Sequence, residues 1–258
     1  MKLIFSIEYK TAWGEEVVLC LDGKRIGLEY VADGLWQGEV SHTALKESLE
    51  YGYEIVREGV TVRKEWGRHM LPKGLSAKTV NVNDRWQDRP SDAPFYSTAF
   101  TKGIFGRGES KGAGACKGIC ITVNAPVVRP DEVLAIAGSG KALDNWNKVI
   151  PFDDSLFPVW TLSLDETEPF MYKLLIADRQ TLAPKAWEDG ENRIMAVIPE
   201  KNACYVEASL EPHFSGRQWR GAGTAIPVFS LRSEDDFGVG EFLDLKKMVD
   251  WAAATGQS

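Results

Sequence analysis

Two stretches of the chain set a tryptophan among small, polar and charged residues: "KAWEDGENR", Lys185–Arg193, with Trp187, and "GSGKALDNWNK", Gly138–Lys148, with Trp146. Neither stretch has a period that would bury its indole. An indole held at the surface offers a rigid, flat, electronegative face. Its chemical complement is the face of a sugar ring, whose axial C–H groups are electropositive. Hydroxyls around such a stack need fixed donors and acceptors, since each one left unpaired costs roughly 1–3 kcal/mol. Lys173, Glu188 and Asn192 are polar and close to the two tryptophans in the pattern. The competing reading makes each tryptophan the end of a strand, its ring folded back on a core, because tryptophan is mostly buried on average.

Other chemistry-bearing patterns do not survive inspection. "GSGK", Gly138–Lys141, resembles the end of a phosphate loop, but Ala135 stands where the first glycine belongs and Ala142 where a Ser or Thr belongs. The Gly-rich run Gly103–Gly118 follows no strand and leads into no helix. "CKGIC" has no second cysteine pair nearby, and His42, His69 and His213 fit no ligand spacing, so no metal and no cofactor is expected. No nucleophile-elbow pattern is present. Asp153-Asp154 and Asp235-Asp236 are neighbours in loops, whereas glycosidic chemistry needs two carboxyls facing each other across a bond.

The elements that must position the tryptophans are β-strands. "LIFSIEY", "EEVVLCL", "LWQGEVS", "YGYEIVRE", "VTVRKEW" and "AKTVNVN" are short runs rich in Val, Ile, Tyr and Trp, separated by turn residues. After a Pro- and Gly-bearing stretch comes a second series: "GICITVNA", "EVLAIAG", "VWTLSL", "FMYKLLIAD", "KAWE", "RIMAVIP" and "ACYVEASL". The order repeats, which means one fold used twice. In that alignment Trp36 matches Trp160, Tyr53 matches Tyr172 and Trp66 matches Trp187. Past Pro212, "GTAIPVFSL" reads as a buried strand. "EFLDLKKMVDWAAATG" places Phe242, Leu245, Val249 and Ala252 on one helical face. This is a βα unit, the opening of an α/β domain. The expected fold class is therefore mainly β: two Ig-like antiparallel β-sandwiches, then the first βα unit of a truncated (β/α)8 barrel. The expected boundaries are 1–88 for the first sandwich, 89–116 for a linker, 117–210 for the second sandwich and 211–258 for the start of the barrel.

Bulk composition narrows the partners. The 258 residues are 44% apolar, enough for real cores, and carry a net charge of −7. That balance argues against nucleic acid and against an anionic membrane, both of which need clustered Lys and Arg. The N-terminus reads neither as a signal peptide nor as a membrane span. Four scattered cysteines, Cys20, Cys116, Cys120 and Cys204, read as reduced thiols of a cytoplasmic protein. Nine tryptophans are an excess that points back to ring stacking.

"DNW", "YKLL" and "WEDGENR" resemble the starch-binding domain, carbohydrate-binding module family 20. The resemblance implies a ligand site of Trp146, Lys173, Trp187, Glu188 and Asn192, two indoles set at an angle to fit the curve of a helical α-1,4-glucan. It implies starch, glycogen, maltodextrin and cyclodextrin as ligands, and a core role for Trp160. The first copy departs from the pattern. It lacks a tryptophan in "DGKRIGLEYVADG", and Glu54 stands where the Lys belongs. Val18 occupies the place of one tyrosine of the family's second ligand site. Trp66 and Trp13 are left there as weaker candidate contacts. "IPVFSLRSEDDFGVGEFLDLKKMVDWA" resembles the start of the catalytic barrel of 4-α-glucanotransferases of the amylomaltase type, in the tandem arrangement of disproportionating enzyme 2. That resemblance implies a retaining transfer by an Asp nucleophile and a Glu acid/base placed on later barrel strands, so that these residues bind without catalysing. Ser230 and Phe237 are the candidate substrate contacts of the tail. Two alternatives stay open: Ig-like protein-interaction modules, or the starch-binding region of another α-glucan enzyme.

Overall fold

A computed structural model describes residues 1–75, 77–106, 116–217 and 220–257. Most of the Gly-rich run singled out above, residues 107–115, lies outside the described residues. The chain divides into two compact units, Met1–Ser215 and Gly216–Ser258.

Within the first unit the strands are β1 (Lys2–Glu8), β2 (Glu15–Leu21), β3 (Lys24–Gly27), β4 (Glu29–Ala32), β5 (Leu35–Ser41), β6 (Leu49–Arg57), β7 (Val60–Lys64), β8 (His69–Leu71) and β9 (Thr79–Arg85). After the connector they continue as β10 (Ile119–Asn124), β11 (Glu132–Gly138), β12 (Ile150–Pro151), β13 (Asp153–Leu156), β14 (Val159–Leu164), β15 (Phe170–Asp178), β16 (Pro184–Trp187), β17 (Arg193–Met195) and β18 (Ala203–Leu210). The alternation of β1 and β9 is the expected period of two: Leu3, Phe5, Ile7, Val80 and Val82 point into the first core. The repeat appears as geometry at Trp36 and Trp160. Trp36 lies opposite Ile7 and Trp160 opposite Val123. Each indole N–H donates to the carbonyl two residues further along the facing strand, Tyr9 at 3.2 Å and Ala125 at 2.9 Å.

The two sandwiches are not beads on a string. One eight-stranded sheet runs through both, in the order β13-β14-β10-β18-β9-β1-β5-β4. The last strands of the two copies pair in parallel, Ala203 opposite Thr79 through Glu207 opposite Asn83. Smaller sheets cover it, β3-β2-β6-β7 with β8 for the first copy and β12-β11-β15-β16 with β17 for the second. Along β10 and β18, successive side chains serve different cores. Cys120, Cys204, Val206 and Ala208 join the first core, while Ile119, Ile121 and Val123 join the second. The small sheets therefore lie on opposite faces of the shared one, and β10 is buried at every position.

A charged group is enclosed where the copies meet. The His69 ring, fully buried, sets Nε2 3.0 Å from Glu65 and Nδ1 2.7 Å from the Ser209 hydroxyl and 3.1 Å from Asp84. Tyr51 and Tyr53 donate to the same Asp84 carboxylate. Ser209 reaches His69 from a bulge of β18, where its φ is +56°.

Two expectations are corrected here. Cys116 and Cys120 form a disulfide, so only Cys20 and Cys204 are free thiols. Gly118, at φ +67°, turns the chain between them and brings their Cα atoms to 5.9 Å, within bridging range. In the second unit, "GTAIPVFSL" is exposed and forms no strand; Val228–Ser230 is a single 3-10 turn. A barrel strand gets its hydrogen bonds from neighbouring strands, and among the described residues it has none. The helix does form, as α1 (Asp244–Ala254), with Leu245 and Val249 of its apolar face still exposed. Among the described residues no helix is long and apolar enough to cross a membrane.

Candidate functional site

Trp187 is the last residue of β16, as the bland reading required, yet its ring is 44% exposed. It lies opposite Leu175 on β15, and Lys173 is two residues along the same strand on the same face. Paired and i, i+2 side chains share a face, so Trp187 and Lys173 stand together on the outward side of the second sandwich, about 7 Å apart along the strand.

Trp146 arrives from the other side. Ala137 lies opposite Lys173 and Gly138 opposite Tyr172. The Trp146 amide donates to the Gly138 carbonyl at 2.6 Å, which pins the loop at that end of β11. Three consecutive non-glycine residues, Asp144, Asn145 and Trp146, have φ of +48°, +47° and +71°. Asp and Asn tolerate this region; a tryptophan there is strained and must be held by its surroundings. The buried Glu166 carboxylate does part of the holding, accepting the Lys141 and Ala142 amides at 3.0 and 2.7 Å. The ring of Trp146 is half-buried against the second core. The Trp146 backbone is thus held at the end of β11 that pairs with Lys173 and Tyr172, while Trp187 lies on β16, the strand on the other side of β15.

The other members of the expected set divide by role. Asn192 is exposed in the loop after Trp187. Lys173 donates to the Gly190 carbonyl at 2.6 Å, which orients its ammonium beside that loop. Glu188 is only 4% exposed and already committed. Its carboxylate accepts the Leu174 amide at 2.8 Å and holds the Arg193 guanidinium at 2.9–3.1 Å. Burial alone would lower the Arg193 pKa, but Glu188 outweighs it and holds the guanidinium above its ordinary value. Glu188 is thus engaged in building the loop.

In the first copy, pairing corrects the alignment. The Tyr53 amide is capped by Glu65 as the Leu174 amide is capped by Glu188. Lys64 lies opposite Glu54 as Trp187 lies opposite Leu175. Lys64, not Trp66, therefore occupies the place of Trp187, and Gly52, not Glu54, the place of Lys173. Trp66 packs edge-on against Tyr96 at 5.2 Å instead. A two-residue hairpin, Asp22-Gly23 at φ +49° and +71°, replaces the Trp146 loop. Glu54 is bound by Arg25 and Lys64, and the remaining cleft holds only about 20 Å³.

The first copy has a different concavity. Trp13 is fully exposed at the rim of an open groove of about 780 Å³ lined also by Lys10, Glu15, Tyr30, Asp33 and Trp36. Tyr30 is 57% exposed and edge-on to Trp36 at 5.4 Å. The sequence reading picked out Trp13 but missed Tyr30; the available signal was an exposed aromatic between the charges of "LEYVAD". In the second unit Ser230 and Phe237 are both exposed, Phe237 at 93%, on a loop whose Asp236 carboxylate caps the Ser233 and Gly238 amides at 2.8 and 2.7 Å.

Residues 118–207 match the starch binding domain family. Residues 226–258 match the 4-alpha-glucanotransferase family. The chain is 29% identical over 288 aligned residues to the 4-alpha-glucanotransferase DPE2 of Oryza sativa subsp. japonica, covering 98% of this chain and 30% of that protein. It thus spans about a third of that relative's length. Among solved structures, the family 20 module of a maltotetraose-forming amylase from Pseudomonas saccharophila is similar at 16% identity, over 35% of this chain and 99% of that one, with a TM-score of 0.29. A family 15 glucoamylase from Hypocrea jecorina is similar at 18% identity, over 38% and 18%, with a TM-score of 0.31. The starch-binding domain match spans β10 to β18, so it contains every residue of the two-indole site.

Proposed function

We propose that the second sandwich binds α-1,4-glucans, with Trp146 and Trp187 stacking on successive glucose rings and Lys173 and Asn192 meeting their hydroxyls. What supports this is the exposed indole of Trp187 on the strand next to Lys173, with the Trp146 loop held at the far side of β15, inside the residues that match the starch-binding domain. The groove of Trp13 and Tyr30 is a second, separate glucan surface in the first sandwich, supported by a fully exposed indole beside an exposed phenol ring. The partners are starch, glycogen, maltodextrin and cyclodextrin.

The wider protein is a 4-α-glucanotransferase that moves glucosyl units from maltose or maltodextrin to a branched acceptor, a reading supported by the match at residues 226–258 and by the rice relative. The transfer is retaining, through a glycosyl-enzyme intermediate. Ser230 and Phe237 line the approach to its active site. These 258 residues bind glucan and do not transfer it.

Calorimetric titration of the chain with β-cyclodextrin, beside Trp187→Ala, tests the site. Binding lost in a folded variant supports it. Binding retained moves the ligand to the Trp13 groove, which Trp13→Ala then probes. No binding by the parent chain overturns the reading.

A further inference from the structure

The loop that carries Trp187 is tied down at three points. Glu188 bonds the Leu174 amide and Arg193, and the Gly190 carbonyl accepts from Lys173; both ties stay inside the sandwich. The third leaves it. Asp189 accepts from His213 Nδ1 at 2.5 Å and from the Ser215 hydroxyl at 2.8 Å, and its own amide donates to the His213 carbonyl at 2.8 Å. The residue between them, Phe214, packs on the second core. Residues 213–215 are the last of the first unit and continue directly into Gly216–Ser258.

We infer that Asp189 is a positioning residue that couples the glucan-stacking loop to the segment through which the chain leaves the sandwich. This rests on the two-indole site being the glucan site. A ligand that favours the ordered loop favours the clasp, and by linkage the clasp favours the ligand to the same degree. Hydrogen bonds from Ser215 and then His213 hold the Asp189 carboxyl below its usual range, as expected of a carboxylate meeting two donors. The clasp is exposed, with the His213 side chain 83% accessible, so its contribution is modest.

The test uses the 258-residue chain with β-cyclodextrin as probe. Hydrogen exchange of peptides covering residues 211–215 is followed with and without ligand, beside calorimetry on Asp189→Ala, His213→Ala and His213→Asn. In the parent chain the ligand should slow exchange at 214–215. Asp189→Ala and His213→Ala should abolish that protection and weaken binding two- to fivefold. His213→Asn, which keeps a donor near Nδ1, should restore both. The change in Trp fluorescence at saturation should stay that of the parent, showing the stack intact. Binding by the parent chain with no protection at 214–215 overturns the coupling and leaves the site standing. Protection or affinity unchanged in Asp189→Ala overturns it as well. No binding by the parent chain overturns both the site and the coupling.

Discussion

At the scale of single residues, the site separates groups that meet ligand from groups that hold those groups still. Trp187 is 44% exposed, so Trp187→Ala should cost at least tenfold in β-cyclodextrin affinity while leaving the melting temperature within about a degree or two. Glu188 is the opposite case. Glu188→Gln removes the charge that Arg193 pairs with, and because the guanidinium is partly exposed the loss should fall below the roughly 3–5 kcal/mol of breaking a fully buried pair. Its effect should therefore appear first in thermal unfolding and only secondarily in affinity; a variant with parental melting and weakened binding would show that Glu188 meets the sugar directly. His69 gives a pH signature. Burial opposes its charge, but Asp84 and Glu65 outweigh burial and raise its pKa to about 10, from an ordinary value near 6.5. A raised folded pKa gives stability that is fully present below about pH 6.5 and is lost as pH climbs through about 10. Groups facing the ring are Asp84, Glu65, Ser209, Tyr51 and Tyr53, so His69→Gln should flatten the fall in melting temperature between pH 7 and 10. An equally steep fall in that variant would assign it to another group.

At the scale of elements, β18 belongs to two cores at once. Cys204, Val206 and Ala208 fill the first, and Leu210 closes the second. Val206→Asp would put an unpaired carboxylate in a fully buried position of the first core, from a strand of the second copy. Calorimetry of the parent chain should show one cooperative transition for residues 1–215, and Val206→Asp should remove it as a whole. Two separate transitions, with only one affected, would mean the copies fold independently. Much of this fold was legible in the sequence. Period-two alternation marked β1, β5 and β9, and the repeat set Trp36 beside Trp160 because both sit in the same local pattern. The parallel joint of β9 and β18 was not legible, since its partners are more than a hundred residues apart. A trace of it exists in "ICITVN" and "ACYVEASL", continuous runs of the kind that strands covered on both faces require. The register of the first copy is not legible because Lys64 stands in the place of Trp187 and the nearest indole, Trp66, lies two residues further on; the bulge beside this position is common to both copies. Within the second copy the candidate residues are picked out by type and spacing alone; that Glu188 pairs with Arg193 is not legible in the sequence, because burial is set by the tertiary fold.

At the scale of the whole molecule, the two indoles of the second copy and the Trp13 groove of the first belong to one body, not to two modules on a flexible leash. Polymer binding should then exceed β-cyclodextrin binding by a fixed geometric factor, since a second contact on the same glucan is intramolecular. On the proposed reading of the wider protein as a glucanotransferase, deletion of residues 1–209 from it should reduce transfer to glycogen far more than turnover of maltose, and equal losses on both would refute that role. The joint between the copies has one more consequence. Cut apart, each sandwich would present β9 or β18 as an unpaired edge of seven or eight residues, a ready template for adding strands from other molecules. Joined, the shared sheet ends only at β4 and β13, four residues each, and β4 presents Glu29 and Tyr30 to solvent. Fusing the copies thus hides the two longest strand edges at which this chain could nucleate aggregation, a role for the first sandwich that needs no sugar contact.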